Sequence, residues 1–430
     1  MSTEQTSDLL TRRSFVAAAG AGLFVNPMSM AQAVSSEKRR LAVITTVWYQ
    51  PSHAWHMAER FLHGYPIRGS WHQPPFEVVA AYVDQFPEND LSRSRSREFG
   101  FPIYPSVAEA VRCGGDTLAV DAVLVIGEHG DYPRNEIGQK KYPRYEFFRQ
   151  VTDVFRSDGR AVPMFNDKHL SWNPAWAREM VETSRELGFG FAAGSSLPVT
   201  WRMPSIDMPW GAEVEEMMCI SAGPIDHYDF HALEAIQCMA ERRRGSETGV
   251  TAVQALRGRA VWDAMASGSW NKGGWDPALF NACLARSQTL RQPETFSHRY
   301  PTSTQIREWV QDPIAYRVEY RDGTKATMLL LDGLVQDFTF AARLKGQDEP
   351  LSTLFYLPPT PNVTYSAMLM SKAEQTFLTG RSPAPIERTL LTTGLVEAGV
   401  RSLATGQKRI LTPDLAVRYQ APEESLFARD

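Results

Sequence analysis

Between residues 40 and 190, apolar segments alternate with amphipathic ones, and this alternation limits the possible folds more than any other feature. Five segments predict β-strands: LAVITTVW, FEVVAAYVD, VDAVLVIGEHGDY, AVPMFNDKHLS (a strand and its exit) and FGFAAGSSL. Most of the segments between them have helical periodicity. The third segment contains a nearly continuous apolar run, which is typical of a strand that is covered on both faces. We therefore predict an α/β fold with a Rossmann-like, doubly wound parallel sheet.

The pattern changes after Arg202, where strand-like and helical segments no longer alternate regularly. The segment 316–341 predicts antiparallel hairpins, with one turn at Asp322-Gly323 and a second strand pair around Asp332-Gly333. Helices are expected at 229–243, 370–379 and 387–405. The sequence thus predicts a Rossmann-like domain over residues 40–200 and an α+β domain over 201–420, with an open, largely antiparallel sheet and closing helices.

The first 33 residues predict a signal peptide of the Tat pathway. Arg12 and Arg13 precede Phe15, the short apolar run AAAGAGLFV and an Ala-x-Ala cleavage site that ends at Ala33. No other segment is long enough to be a membrane span. We expect a periplasmic or secreted protein with no membrane contact after the signal is removed.

The net charge bears on nucleic-acid binding, and the cysteine content bears on disulfide bonds. The formal net charge is -4 and the isoelectric point is near 6.2, so nothing in the composition indicates nucleic-acid binding. Four dispersed cysteines without a Cys-x-x-Cys pattern predict buried thiols rather than a disulfide framework.

Polar residues follow several predicted strands at positions that belong to one edge of the sheet. The loop after the first strand contains Thr45 and leads to His53 without a single glycine, although a phosphate often binds at this position in open α/β sheets. Glu128 and His129 follow the third strand, and Lys168 follows the fourth. Because ligands of such sheets bind at the carboxyl ends of the strands, we expect a functional site there.

The order of elements and the closing segment AEQTFLTGRSPAPIERTLLTTGLVEAGVRSLATGQKRI (residues 373–410) resemble the Gfo/Idh/MocA family of sugar-acting oxidoreductases. The resemblance implies NAD(P) on the first domain, a sugar or polyol between the domains, and a homo-oligomer formed through the C-terminal sheet. In the register of the family's glycine loop this chain has Thr45, Val47 and Gln50, and only the following His53 matches. Asp84 lies where the family's ribose-binding acid would lie.

Two further family motifs can be transferred position by position. Asp167-Lys168-His169 stands in place of Glu-Lys-Pro and keeps the lysine, and His227 to His231 stands in place of Asp-x-x-x-His and keeps the histidine. The resemblance, together with the residues that follow the strands, predicts three sets of site residues. They are catalytic Lys168, His231 and His227; cofactor-binding Thr45, His53, Asp84, Glu128 and His129; and substrate-binding His169 and Arg202.

Three functions remain open at the level of sequence. The first is an exported NAD(P)-dependent oxidoreductase that acts on a sugar or polyol derivative. The second is a nicotinamide-independent lyase, epimerase or hydrolase of sugars, with or without a divalent metal; His227, His231 and Glu234 share one helical face and are the metal ligands considered. The third is a non-catalytic periplasmic binding protein. Eleven tryptophans, several of them in loops, are compatible with a carbohydrate ligand in each case.

Overall fold

The structure is a computed structural model that describes residues 38–429. The predicted Tat signal, residues 1–33, lies outside the described residues. The strands are β1 (Arg39–Thr45), β2 (Tyr65–Ile67), β3 (Ser70–His72), β4 (Phe76–Val83), β5 (Ile103–Tyr104), β6 (Ala122–Ile126), β7 (Met164–Asp167), β8 (Phe191–Gly194), β9 (Trp201–Met203), β10 (Val214–Ser221), β11 (Val250–Arg257), β12 (Ile314–Tyr320), β13 (Lys325–Leu330), β14 (Phe338–Leu344), β15 (Leu351–Tyr356) and β16 (Ile410–Leu411).

The helices complete the order of elements. They are α1 (His53–Met57), α2 (Glu59–His63), α3 (Ser92–Phe99), α4 (Val107–Arg112), α5 (Arg144–Asp158), α6 (Pro174–Glu186), α7 (Tyr228–Ala240), α8 (Arg259–Ser267), α9 (Pro277–Arg286), α10 (Ser303–Trp309), α11 (Tyr365–Thr379) and α12 (Ile386–Ala404). No helix within residues 38–429 is long and apolar enough to cross a membrane.

The first sheet has six parallel strands in the order β5-β4-β1-β6-β7-β8. In β1, Leu41 and Val43 enter a core with α1, α2 and α11, whereas Ala42 and Ile44 enter a second core with α4 and α5. Successive side chains of a strand point to opposite faces, so a continuous apolar run is the expected sequence for a strand that serves two cores. The predicted doubly wound parallel sheet is confirmed.

The second sheet has eight mostly antiparallel strands in the order β16-β11-β12-β13-β10-β14-β15-β9. The predicted hairpin at Asp322-Gly323 joins β12 and β13. The predicted strand pair around Asp332-Gly333 is wrong, because β10 lies between β13 and β14, parallel to the former and antiparallel to the latter. An alternation pattern identifies strands but does not show that a segment from earlier in the chain separates them.

Strand β10 is buried on both sides of this sheet. Met217 and Cys219 pack with α7 and α12, whereas Met218 and Ile220 pack with α8, α9 and α10. The sheet is therefore covered by helices on both faces. The homo-oligomer expected through this sheet is untested and stays a prediction.

Candidate active site

A cavity of about 190 Å³ lies where the carboxyl ends of the parallel strands face α7, the loop after β15 and the start of α11. Of the chain's nine histidines, five line this cavity. Its lining residues are His53, His56, Met57, Glu128, His129, Asp167, Lys168, Ser195, Ser196, Leu197, His227, Tyr228, His231, Phe338, Leu357 and Tyr365. The structure brings polar residues that follow several strands together at one edge of the sheet, as the strand order predicts.

Lys168 and His231 form a hydrogen bond between Nζ and Nε2. Lys168 comes directly after β7 with a positive φ of 66°, and its N–H donates to the carbonyl of Gly194, which fixes the turn. His231 lies in the first turn of α7. Burial lowers the pKa of Lys168, although the negative charges of Glu128 and Asp167 oppose this shift. Burial and the nearby Lys168 hold the pKa of His231 well below 6.5, so its ring is neutral near pH 7.

Asp167 and His53 form a second pair on the same wall of the cavity. Asp167 ends β7, and its Oδ2 lies 2.6 Å from Nδ1 of His53 at the start of α1. Burial raises the pKa of Asp167 to about 6, although the charge of Lys168 opposes this. The other carboxylate oxygen, Oδ1, is buried and has no hydrogen-bond partner among the described residues. Asp167 therefore has a carboxylate oxygen that is not used by the protein itself.

Arg144 and Glu128 form a buried ion pair at the wall of the cavity. Arg144 is completely buried and donates to Glu128 and, over 3.0 Å, to Nε2 of His169. Glu128 also lies 3.0 Å from Nδ1 of His227. Burial alone would raise the pKa of Glu128, but Arg144 and the hydrogen bond from His227 lower it well below 4.5. The carboxylate of Glu128 is therefore charged. Arg144 neutralises this charge, and the second carboxylate oxygen orients the ring of His227.

The exit of β1, where a dinucleotide would be cradled, is tied to the exit of β6. Thr45 Oγ1 donates to the carbonyls of Val47 and Ile126, each at 3.1 Å. Thr46 Oγ1 donates to the carbonyl of Glu128 at 2.6 Å. These bonds link the exits of the two strands and use the hydroxyl protons of both threonines, so the hydroxyl of Thr45 already donates within the protein.

The loops after β4 and β6 also meet across the end of β1. Gln85 and Asp131 exchange two hydrogen bonds of 2.9 Å. Asp84 accepts hydrogen bonds from the hydroxyl groups of Tyr82 and Tyr132, at 2.7 and 2.6 Å. The acid predicted to bind a ribose is therefore engaged by two tyrosines.

Bulky side chains take the place of the missing glycines. A Cβ added to Gly130 would lie 3.4 Å from a methyl group of Val47, so the two loops are in close contact. Trp48 is completely buried and stacks on Phe101, with 6.1 Å between ring centroids. A dinucleotide loop needs small residues so that its backbone can approach the pyrophosphate. The residues present do not fit that group in this arrangement.

The predicted site residues fall into two groups. Lys168, His231, His227, His53, Glu128 and His129 are brought together in the cavity. Thr45, Asp84, His169 and Arg202 do not line it. The prediction that His169 contacts substrate is not supported by its position, because the ring lies behind the cavity and bonds to Arg144.

Arg202, a candidate for substrate contact, lies in β9 and has partners within the protein. It is 4% exposed, pairs with Asp207 at 2.5 Å, and lies over the rings of Phe355 and Phe427. An arginine after a strand was a weak signal for substrate contact. Its charge is used in a buried structural cluster instead.

The proposed metal ligands do not converge. His227 bonds to Glu128, His231 bonds to Lys168, and Glu234 accepts hydrogen bonds from the N–H of Ser195 and the hydroxyl of Thr392. Helical spacing put the three residues on one face, but each side chain has a different partner. Within residues 38–429, no group of three or more His, Cys, Asp or Glu residues is arranged to hold a metal ion.

Several cavity residues were not predicted as site residues. His56 follows His53 by one helical turn, and the spacing of three residues was a signal that could have identified it. Asp167 stood inside the transferred motif but was not assigned a role. Tyr365 and Phe338 come from elements far along the chain, and no sequence pattern links them to the sheet edge.

Comparisons with known proteins identify the fold. No family model matches the chain, and no curated protein matches it. GenD2 from gentamicin A biosynthesis, solved in complex with NAD, superposes with a TM-score of 0.54 at 14% identity, covering 87% of this chain and 96% of that one. A probable dehydrogenase from Thermotoga maritima gives 0.51 at 12% identity, covering 87% and 99%.

A third similar structure has a bound polyol. Myo-inositol dehydrogenase from Lactobacillus casei, in complex with NAD(H) and myo-inositol, gives a TM-score of 0.50 at 12% identity, covering 87% of this chain and 96% of that one. At such identities a likeness establishes the fold and not the activity. The chain therefore has the fold of these dehydrogenases, which supports the resemblance noted in the sequence at the level of architecture.

Proposed function

We propose that this chain is an acid–base enzyme that acts on a sugar or polyol derivative without a nicotinamide cofactor. The observation that carries the proposal is the Lys168–His231 hydrogen bond within a cavity at the carboxyl ends of the parallel strands. A buried lysine with a lowered pKa beside a neutral imidazole is a proton-transfer pair. Asp167, with its pKa near 6, and His53 supply a second pair on the same wall.

The two pairs suit a reaction in which one proton leaves the substrate and another is delivered. In an elimination beside a carbonyl or carboxyl group of the substrate, one pair accepts the acidified C–H proton. The electron pair of that bond forms the double bond, and the other pair protonates the departing hydroxyl group, which leaves as water. This reaction requires no electron acceptor. Lys168 in its ammonium form also stabilises the negative charge that develops on a substrate oxygen.

The choice of substrate class rests on the fold and on the composition of the cavity. The similar dehydrogenase from Lactobacillus casei was solved with myo-inositol. Here the cavity combines donors and acceptors with the apolar side chains of Met57, Leu197 and Phe338. Ligand pockets usually combine an apolar lining with a few convergent polar groups. A small polyhydroxylated ring matches this mixture.

The residues that follow β1 are the reason for proposing a reaction without a nicotinamide cofactor. The loop after β1 has no glycine, and the side chains of Thr45 and Asp84, which would face a dinucleotide, are bonded to other parts of the protein. The second candidate remains an NAD(P)-dependent oxidoreductase, favoured by the likeness to GenD2 in complex with NAD. It would have to bind the pyrophosphate beside Val47 without the glycines that such a loop normally provides.

Solvent deuterium exchange tests the reaction class. The purified chain is incubated in D2O with a panel of polyols, aldoses and sugar acids, without nucleotide, and the products are analysed by NMR and mass spectrometry. The proposal expects deuterium at one carbon of at least one compound, and loss of that exchange in Lys168→Ala. Lys345→Ala, an exposed lysine paired with Glu213, is the matched control and should behave as the unmodified chain.

Three other outcomes would contradict the proposal in different ways. Turnover that appears only when NAD(P)+ is added favours the oxidoreductase. Binding of a compound without exchange or turnover indicates a binding protein. Exchange that survives in Lys168→Ala removes the residue pair on which the proposal depends.

Export through the Tat pathway is part of the same proposal. It rests on Arg12, Arg13 and the Ala-x-Ala site of the sequence. Cell fractionation tests it, with the Arg12→Lys/Arg13→Lys double variant as the comparison. The double variant should accumulate in the cytoplasm, whereas equal distribution of both proteins would contradict export by this route.

A further inference from the structure

A second cleft, of about 430 Å³, lies beside the catalytic cavity, against α1, α2 and the β2–β3 hairpin. Trp55, Glu59 and Arg60 line it from the helices, Trp71 lines it from the hairpin, and Asn362 lines it from the loop before α11. None of these five residues lines the catalytic cavity. The proposed proton transfer uses none of them either, so their role is unexplained by the catalytic site alone.

The cleft and the catalytic cavity share walls. His56 lines both. Its Nδ1 atom is buried and has no hydrogen-bond partner among residues 38–429. Thr364 lines the cleft and its neighbour Tyr365 lines the cavity, with 5.9 Å between the ring centroids of Tyr365 and His56. The two spaces therefore lie on either side of His56 and of the Thr364–Tyr365 segment.

The two volumes support a ligand that occupies both spaces. Ligand pockets usually measure roughly 300–1,000 Å³. The catalytic cavity, at about 190 Å³, is below that range, whereas the cleft, at about 430 Å³, is within it. The catalytic cavity accommodates the reacting unit of a substrate, and the larger volume is adjacent to it.

The lining of the cleft is fixed before any ligand arrives. Trp71 is 60% exposed, yet its indole N–H donates to the carbonyl of His63 at 2.9 Å and holds the ring in place. Arg60 donates to Ser366 at 3.1 Å and to the carbonyl of Asn362 at 2.6 Å. Preorganised aromatic and polar groups lose little conformational entropy on binding.

Aromatic faces beside fixed polar groups are chemically suited to a sugar ring. The C–H face of a pyranose packs on an indole, while its hydroxyl groups need donors and acceptors at the rim. Trp55 and Trp71 supply aromatic surface, and Glu59, Arg60 and Asn362 supply polar groups. The carboxylate of Glu59 is itself fixed by Trp48 at 3.2 Å and Arg95 at 2.8 Å.

We propose that this cleft is a second sugar subsite, and that the substrate is an oligosaccharide of at least two units whose reacting unit enters the catalytic cavity. The inference rests on the proposed function for its choice of a carbohydrate. Trp71 and Trp55 contact the second unit, and His56 lies at the junction between the units.

Matched pairs of short and long ligands test the subsite. The full chain is titrated with glucose, maltose and cellobiose, and with myo-inositol and galactinol, by calorimetry and by tryptophan fluorescence. At least one two-unit compound should bind about tenfold or more tightly than its one-unit counterpart. Trp71→Ala should raise the Kd of that compound roughly tenfold and leave the one-unit Kd unchanged. The control is Trp210→Ala, which removes an exposed tryptophan that stacks on Arg242 and lines neither space.

The outcomes separate this inference from the proposed function. Equal affinity for one-unit and two-unit compounds, or a Trp71→Ala variant that binds both as the unmodified chain does, overturns the subsite while deuterium exchange still supports the enzyme. A length preference that depends on Trp71, without exchange on any compound, supports the subsite and overturns the acid–base enzyme. Failure of all five compounds to bind overturns the subsite.

Discussion

Lys168 and His231 are joined by a hydrogen bond that connects the end of a strand in the parallel sheet to the first turn of a helix packed on the second sheet. Each residue is held by its own element. Lys168 is fixed by the turn after β7, and His231 projects from α7 between Phe230 and Ala232, which are fully buried. A proton-transfer pair of this kind depends on both sheets being folded.

Replacing Lys168 with methionine should strongly reduce turnover and leave the fold intact. Methionine has a similar length but neither donates nor accepts the proton, so we expect kcat to fall by roughly 10²- to 10⁴-fold. The measurement is kcat alongside circular dichroism, with Lys345→Met as the control at an exposed position. Retention of more than a tenth of the activity would contradict a role for Lys168 in the reaction.

Asp167 should set the acidic limb of the activity profile. Its pKa is raised to about 6 by burial, so the carboxylate forms as pH rises through about 6, and activity that needs the carboxylate rises with it. Asp167→Asn should remove this limb from kcat/KM. Asp229→Asn is a matched control, because burial also raises the pKa of Asp229 to about 6 but that residue bonds to Tyr316 and does not line the cavity. A limb that is unchanged in Asp167→Asn, or lost equally in both variants, would refute the assignment.

Removing Arg144 should destabilise the fold strongly, because Glu128 would then be a buried charge without its partner. The expected loss for Arg144→Met is about 3–5 kcal/mol in the free energy of unfolding. Adding Glu128→Gln should restore most of that loss, since it removes the unpaired charge. Chemical denaturation of the two single variants and the double variant measures this coupling. Additive losses would mean that the pair is not coupled as described.

Glu234 should make the fold less stable as pH rises. Burial raises its pKa to about 7, so the folded state keeps a proton that the unfolded state releases near pH 4. The contribution of this proton to the free energy of unfolding is fully present below about pH 4. It is lost progressively as the pH rises through about 7. Glu234→Gln does not titrate, and should gain about 2 kcal/mol relative to the unmodified chain between pH 5 and pH 8.

Glu349→Gln, at an exposed position, is the control for that comparison and should show no such pH-dependent difference. Unfolding free energies at several pH values provide the measurement. A constant difference between Glu234→Gln and the unmodified chain would show that Glu234 does not titrate in this range.

The sequence was sufficient for the parallel sheet because each strand is short, apolar and followed by a helical segment. The order of the second sheet was not predictable, since β10 pairs with two strands that lie more than 100 residues further along the chain. Helix α3 was missed because LSRSRSREF has few apolar residues and thus no periodic face. A strongly polar segment of this kind gives no signal for a packed helix.

The candidate site could be predicted to the extent that its residues follow strands. Lys168, Glu128 and His129 lie at the carboxyl ends of parallel strands, and topology alone brings them together. Arg202 comes after β8 in the chain but lies in β9 of the second sheet, and its charge is paired with Asp207, a contact that depends on tertiary packing. Whether a polar residue faces a cavity or a buried partner is decided by its neighbours in space.

The central claim, that the fold is retained while the nicotinamide site is not, is tested most directly by titrating NAD+, NADP+, NADH and NADPH into the purified full chain. Calorimetry and the fluorescence of the reduced forms report binding, and mass spectrometry of denatured protein reports any nucleotide that co-purifies. The absence of glycine from the loop after β1, and the engagement of Thr45 and Asp84 by other groups of the protein, predict no binding up to millimolar nucleotide and none co-purified. Stoichiometric binding with a micromolar Kd, or bound nucleotide in the purified protein, would contradict the account.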